Sequence, residues 1–153
     1  HPFVSLLLAC VLIGVAAAPT HAGDIRSERV HFPKGEIGTT IKGRITGHET
    51  VDYKLRARAG QGMIVSLDTD NPSNYFNVIA PGETNVAFFI GSTEGNRFEG
   101  DLQKSGDYKI RVYLYRNAAR RGETANYRLE VAIAAAGDVP SEADRMRIKE
   151  LGH

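Results

Sequence analysis

The strongest constraint on the fold is a strict two-residue alternation over residues 53–67. Tyr53, Leu55, Ala57 and Ala59 share one face while Lys54, Arg56 and Arg58 share the other, the pattern of a strand buried on one side. After Gly60-Gln61-Gly62 the alternation resumes with Met63, Val65 and Leu67 inward. Folded as a hairpin, these runs set Ala59 opposite Met63 and Leu55 opposite Leu67, so the two inward sets coincide.

The pattern returns later in the chain. Tyr108, Ile110, Val112 and Leu114 alternate with Lys109, Arg111, Tyr113 and Tyr115, and Tyr127, Leu129, Val131 and Ile133 alternate with Arg128 and Glu130. Pairing Leu114 with Tyr127 aligns these faces and predicts Arg111 across from Glu130, with residues 116–125 as the connection. Shorter strands are predicted at 28–33, 39–46, 74–79, 86–90 and 97–102, each bounded by Gly, Pro, Asn or Ser. With about eight or nine one-faced strands and no useful helical periodicity before residue 137, the expected fold is an all-β antiparallel β-sandwich, in which each sheet covers the other.

The ends of the chain read differently. Residues 3–18 are apolar and uncharged, the hydrophobic region of a secretory signal, and Thr20 and Ala22 suit cleavage before Gly23. A transmembrane anchor is one alternative, but the run is short for a bilayer of about 30 Å and no Lys/Arg cluster stops it. A lipoprotein box at Leu7-Leu8-Ala9-Cys10 is another, opposed by the eight apolar residues that follow the cysteine. The organisation is therefore a signal peptide at 1–22, a β-sandwich at 23–136 and a C-terminal tail at 137–153. In the tail, Ser141 and Asp144 cap a short helix or the segment is loose. Cys10 is the single cysteine, so an exported chain cut at 22 has neither a disulfide nor a thiol nucleophile.

A formal net charge of +1 from 19 basic and 18 acidic residues gives no overall attraction to nucleic acid or to a membrane, and no membrane insertion is expected of the mature chain. Of the five histidines only His31 and His48 fall inside the expected domain, with no nearby metal-ligand spacing. Ser92 in Gly91-Ser92-Thr93-Glu94-Gly95 lacks the spacing of a nucleophile elbow and reads as a turn. Asp68, Asp70 and Asn71 lack the glycine and terminal glutamate of a calcium loop and read as a polar loop closed by Pro72. No catalytic residue, metal or cofactor is expected.

The densest unusual feature is the stretch from Tyr113 to Glu123, where Arg116, Arg120 and Arg121 follow two outward tyrosines. Two readings stand. One is a solvated tip beside a surface ion pair worth at most about 1 kcal/mol. The other is a projecting loop whose guanidinium groups donate to a partner's carboxylates, tyrosine and arginine being enriched at binding hot spots.

Two resemblances are carried by these residues. Asp52-Tyr53-x-Leu55-x-Ala57-x-Ala59-Gly60-Gln61 and Gly106-Asp107-Tyr108-x-Ile110-x-Val112 look like the bacterial pre-peptidase C-terminal type of β-sandwich. More narrowly, Tyr75, Pro81-Gly82, Ser105-Gly106-Asp107-Tyr108-x-Ile110-Arg111-Val112, Arg116-Asn117-x-Ala119-Arg120 and Tyr127 resemble the periplasmic inhibitors of goose-type lysozyme, with Ile110 in place of that family's leucine. The resemblance implies a non-catalytic periplasmic protein that inserts loops into the lysozyme's acidic cleft and protects peptidoglycan. Carried over by position, it implies Ser105 and Gly106 on one loop, Arg116, Asn117 and Arg120 on the next, and Tyr75 and Arg111 beside them. Arg111 is also the leading candidate for a scaffold role, against Glu130. The alternative is a cell-envelope or carbohydrate-binding module in which Tyr113 and Tyr115 stack on sugar.

Overall fold

The computed structural model describes residues 25–135. The expected signal segment at 1–22, with Cys10, and the expected tail at 137–153 lie outside that range. Within it are nine strands and two helical turns: β1 (Ile25–Arg29), β2 (Gly38–Thr46), β3 (Thr50–Ala57), β4 (Gly62–Thr69), β5 (Asn74–Ile79), β6 (Ala87–Ile90), α1 (Gly91–Glu94), β7 (Arg97–Asp101), β8 (Gly106–Leu114), α2 (Arg116–Arg120) and β9 (Thr124–Ala134). They form a five-stranded sheet ordered β1-β3-β8-β5-β6 and a four-stranded sheet ordered β2-β9-β4-β7. The inward residues of both sheets, among them Leu55, Phe76, Ile110 and Val112 from one and Ile45, Val65, Leu129 and Val131 from the other, make a single core. Each such side chain contributes roughly 1.5–3 kcal/mol by leaving water.

The alternation assigned the inward faces correctly except at Ala59, which lies beyond β3 and is exposed, but both expected pairings are overturned. β3 and β4 are not a hairpin: they belong to opposite sheets, with Leu55 registered against Tyr108 and Leu67 against Leu129. β8 and β9 are separated in the same way, so Arg111 lies across from Asp52 and Asn77, while Glu130 faces Thr40 and Ser66. The reason is geometric. Two one-faced strands bring their apolar sides together either as neighbours in one sheet or across the core, and a period of two is the same in both. At the β3–β4 crossing, Gly60 takes a φ of 89°, and the backbone of residues 60–61 bonds to Leu102 in the β7–β8 connection, N–H to O at 2.8 Å in both directions. Only β5 and β6 are consecutive strands that pair with each other. The sandwich also carries one parallel pair, β1 on β3, where antiparallel pairing was expected throughout.

Two core features centre on Tyr127. The hydroxyls of Tyr53 on β3 and Tyr127 on β9 meet at 2.6 Å, with the rings edge to face at 6.5 Å. Each satisfies the other's buried polar tip. Gly43 on β2 leaves the space that the Tyr127 ring fills: a Cβ there would stand 2.4 Å from ring carbon and hydroxyl alike.

The loop at Asp70 is structural. Its carboxylate accepts the backbone N–H and the side-chain amide of Asn126, both at 2.8 Å, and these bonds hold it below the usual carboxylate range. Ser92 sits in the single turn α1, whose first residue, Gly91, approaches the Phe76 carbonyl so closely that a Cβ would lie 2.4 Å from its oxygen.

Candidate functional site

The arginine-rich stretch owes its shape to two alanines. Ala118 and Ala119 are buried, anchoring α2 against the core, and this turns Arg116, Asn117 and Arg120 to solvent. Arg116 and Arg120 are four residues apart and so share one face of the turn. Gly122, at φ 68°, ends the helix in the left-handed conformation and donates its N–H to the Ala119 carbonyl at 3.0 Å.

The three arginines differ in freedom. Arg121 is held by Glu123, Nε to Oε2 at 2.7 Å, and Glu123 also accepts the Asn71 amide at 3.0 Å. The Asn71 bond, then Arg121, hold the Glu123 carboxyl below its ordinary range. Arg120 donates to the Asn117 side-chain oxygen. Arg116 is exposed and has no hydrogen-bond or ion-pair partner among the described residues.

Beside α2, three tyrosines cluster on the outward face of the five-stranded sheet. Tyr75 on β5 is registered against Tyr113 on β8, with ring centroids 6.3 Å apart, and meets Tyr115 edge to face at 6.2 Å. Tyr115 is half exposed. Tyr113 donates its hydroxyl to Asn77 at 3.0 Å, and partial burial raises its pKa. A groove of about 310 Å³ runs next to them, lined by His48, Glu49, Asn77, Arg111 and Tyr113.

Of the residues implied by the resemblance, the structure brings Tyr75, Arg116, Asn117 and Arg120 to one end of the sandwich. Arg111 sits midway along β8, bonded to Asp52 with Nε to Oδ1 at 2.8 Å, and lines the groove. Ser105 and Gly106 lie at the opposite end of β8, on the order of 27 Å from α2 at about 3.4 Å per residue. There Ser105 Oγ accepts the Ala59 N–H at 2.9 Å, and Gly106, at φ 140°, packs where a Cβ would stand 2.8 Å from the Pro81 side chain. The sequence reading missed Asp52, Asn77 and Asn85. Asp52 carries a legible signal, since it is the single acid in a strand whose other charged outward positions, Lys54 and Arg56, are basic.

The chain is a two-sheet β-sandwich protein that exposes arginines on a core-anchored turn beside a cluster of tyrosines on the sheet. No protein-family model matches the chain. A solved periplasmic inhibitor of g-type lysozyme from Aeromonas hydrophila is similar to it at 37% identity and TM-score 0.68, over 73% of this chain and 99% of that one. The Salmonella Typhimurium inhibitor is 26% identical with TM-score 0.55, over 71% of this chain and 97% of its own. The inhibitor of g-type lysozyme from Escherichia coli K12 is 28% identical over 131 residues, 84% of this chain and 96% of that protein. The chain belongs to the family of periplasmic inhibitors of g-type lysozyme, a family of inhibitors and not of enzymes.

Proposed function

We propose that this chain is a periplasmic inhibitor of goose-type lysozyme that presents α2 to the enzyme's substrate cleft and so protects peptidoglycan. The observation that carries the reading is Arg116, an exposed guanidinium without a partner among the described residues, on a turn whose neighbouring alanines are fixed in the core. A glycosidase cleft depends on carboxylates, and planar guanidinium groups pair with carboxylates through two parallel bonds while the loop excludes substrate. In this reading Arg116, Arg120, Asn117 and Tyr75 meet the enzyme. Ser105 and Gly106, at the far end of β8, shape the turn that joins β7 to β8.

Family membership and the exposed arginines of α2 support this reading over the carbohydrate-binding module. Tyr75 meets Tyr115 at 82° and Tyr113 at 42°, so the rings engage one another and offer a sugar no common flat face. The deciding experiment is turbidity loss of cell walls treated with goose-type lysozyme. Micromolar protein protects the walls if the reading is right, and undiminished lysis overturns it.

A further inference from the structure

Arg111 stands in the middle of the outward face of the five-stranded sheet, in a row with Asp52 on β3 and Asn77 on β5. Its guanidinium grips Asp52 through two bonds, Nε to Oδ1 at 2.8 Å and Nη2 to Oδ2 at 3.0 Å. This planar fork fixes orientation as well as distance. The side chains are only 15% and 4% exposed, so neither is a rim charge waiting for a partner. The outer edge of the guanidinium turns to the β5–β6 connection, where Nη1 donates to Asn85 Oδ1 at 3.2 Å and Nη2 reaches the Thr84 carbonyl at 3.5 Å. Residues 82–86 of that connection are themselves exposed, and Arg111 ties their tip back onto the sheet.

We propose that Arg111 is a positioning residue: clamped by Asp52, it pins the Thr84–Asn85 tip over the sheet and, lining the groove that runs past Tyr113 to Ala119 of α2, holds in place the surface that the lysozyme meets. The functional half of this rests on the inhibitor reading, whereas the clamp is observable without any enzyme. The contact role implied by the resemblance has a different electrostatic signature. If Arg111 paired with carboxylates of the lysozyme, removing the Asp52 charge would release its cation and strengthen binding. If Arg111 positions, the same change loosens the clamp and weakens binding.

The test measures inhibition, association and dissociation rates, and NMR backbone order parameters for the full chain carrying Asp52→Asn, Arg111→Lys or Asn85→Ala. Positioning predicts that Asp52→Asn and Arg111→Lys each weaken inhibition roughly ten-fold through faster dissociation, with the association rate and its salt dependence unchanged, as for loss of a buried charge pair rather than a rim charge. It also predicts lower order parameters at residues 84–86 in all three variants. Inhibition by Asp52→Asn equal to or better than the parent overturns the proposal, as do unchanged order parameters at 84–86. Asn85 is exposed, so its variant still reads the clamp if Asp52→Asn does not fold. Should the parent protein fail to inhibit at all, the inhibitor reading falls, and the order parameters at 84–86 still decide the clamp.

Discussion

Tyr53 and Tyr127 sit on strands of opposite sheets and share a hydrogen bond of 2.6 Å that neither can replace with water, because both residues are buried. Removing one hydroxyl therefore strands the other. Tyr127→Phe should cost about 1–3 kcal/mol, while the double change Tyr53→Phe with Tyr127→Phe should be closer to the parent, because both polar groups then leave together. Denaturant melts of the four proteins check this; purely additive losses would contradict it.

The same pair sets a dependence on alkaline pH. Burial raises the pKa of both hydroxyls above the ordinary 10.0, in Tyr127 reinforced by its bond to Tyr53. A pKa raised on folding contributes stability that is present in full below the unfolded value and lost as pH climbs through the folded one. Stability should thus fall above about pH 10, and the double phenylalanine variant should fall less steeply over the same range, as read by melts between pH 8 and 11.

Gly43 is predicted to resist substitution. A methyl group at this position meets the Tyr127 ring at 2.4 Å, so Gly43→Ala must displace a ring fixed between two sheets. Overpacking of this kind costs about 1–3 kcal/mol. A melting temperature equal to the parent's would show that the ring has room to move.

For the arginine turn, Arg116→Ala and Arg120→Ala should each weaken inhibition by at least about ten-fold, with stability changed by no more than about 0.5 kcal/mol, since both side chains are exposed. Arg121→Ala should matter less for inhibition, because Glu123 already holds that guanidinium. Inhibition assays paired with thermal melts separate the two effects.

Ser105→Ala should do the reverse. It removes the acceptor of the Ala59 N–H, at a cost of about 0.5–1.5 kcal/mol, and leaves inhibition unchanged because the site lies at the other end of β8. A stable but inactive Ser105→Ala would place this turn in the interface.

What was legible in the sequence was the identity of the faces. Leu55, Met63, Ile110 and Leu129 are buried as the alternation required, because the pleat leaves an apolar stripe no other stable side. What was not legible was which stripes are neighbours. The bond between Arg111 and Asp52 depends on β3 pairing with β8 across more than fifty residues of chain, a register that no local spacing encodes. The helix α2 escaped notice because five residues are too few to establish a helical period, and its anchors, Ala118 and Ala119, are the least conspicuous apolar residues. The parallel docking of β1 was hidden likewise: all five of its residues are exposed, so it has no buried face to read.

The near-absence of pairing between consecutive strands has a consequence in time. Among the described strands β5 and β6 are the one consecutive pair, and every other ladder joins parts of the chain further apart. Such chains pay the entropy of closing long loops before contacts reward it, and they fold in milliseconds to seconds rather than microseconds. A copy synthesised or threaded as far as residue 101 holds the β1–β3, β5–β6 and β4–β7 ladders, whereas the four ladders of β8 and β9 that join these pieces into two sheets wait for residues 106–134.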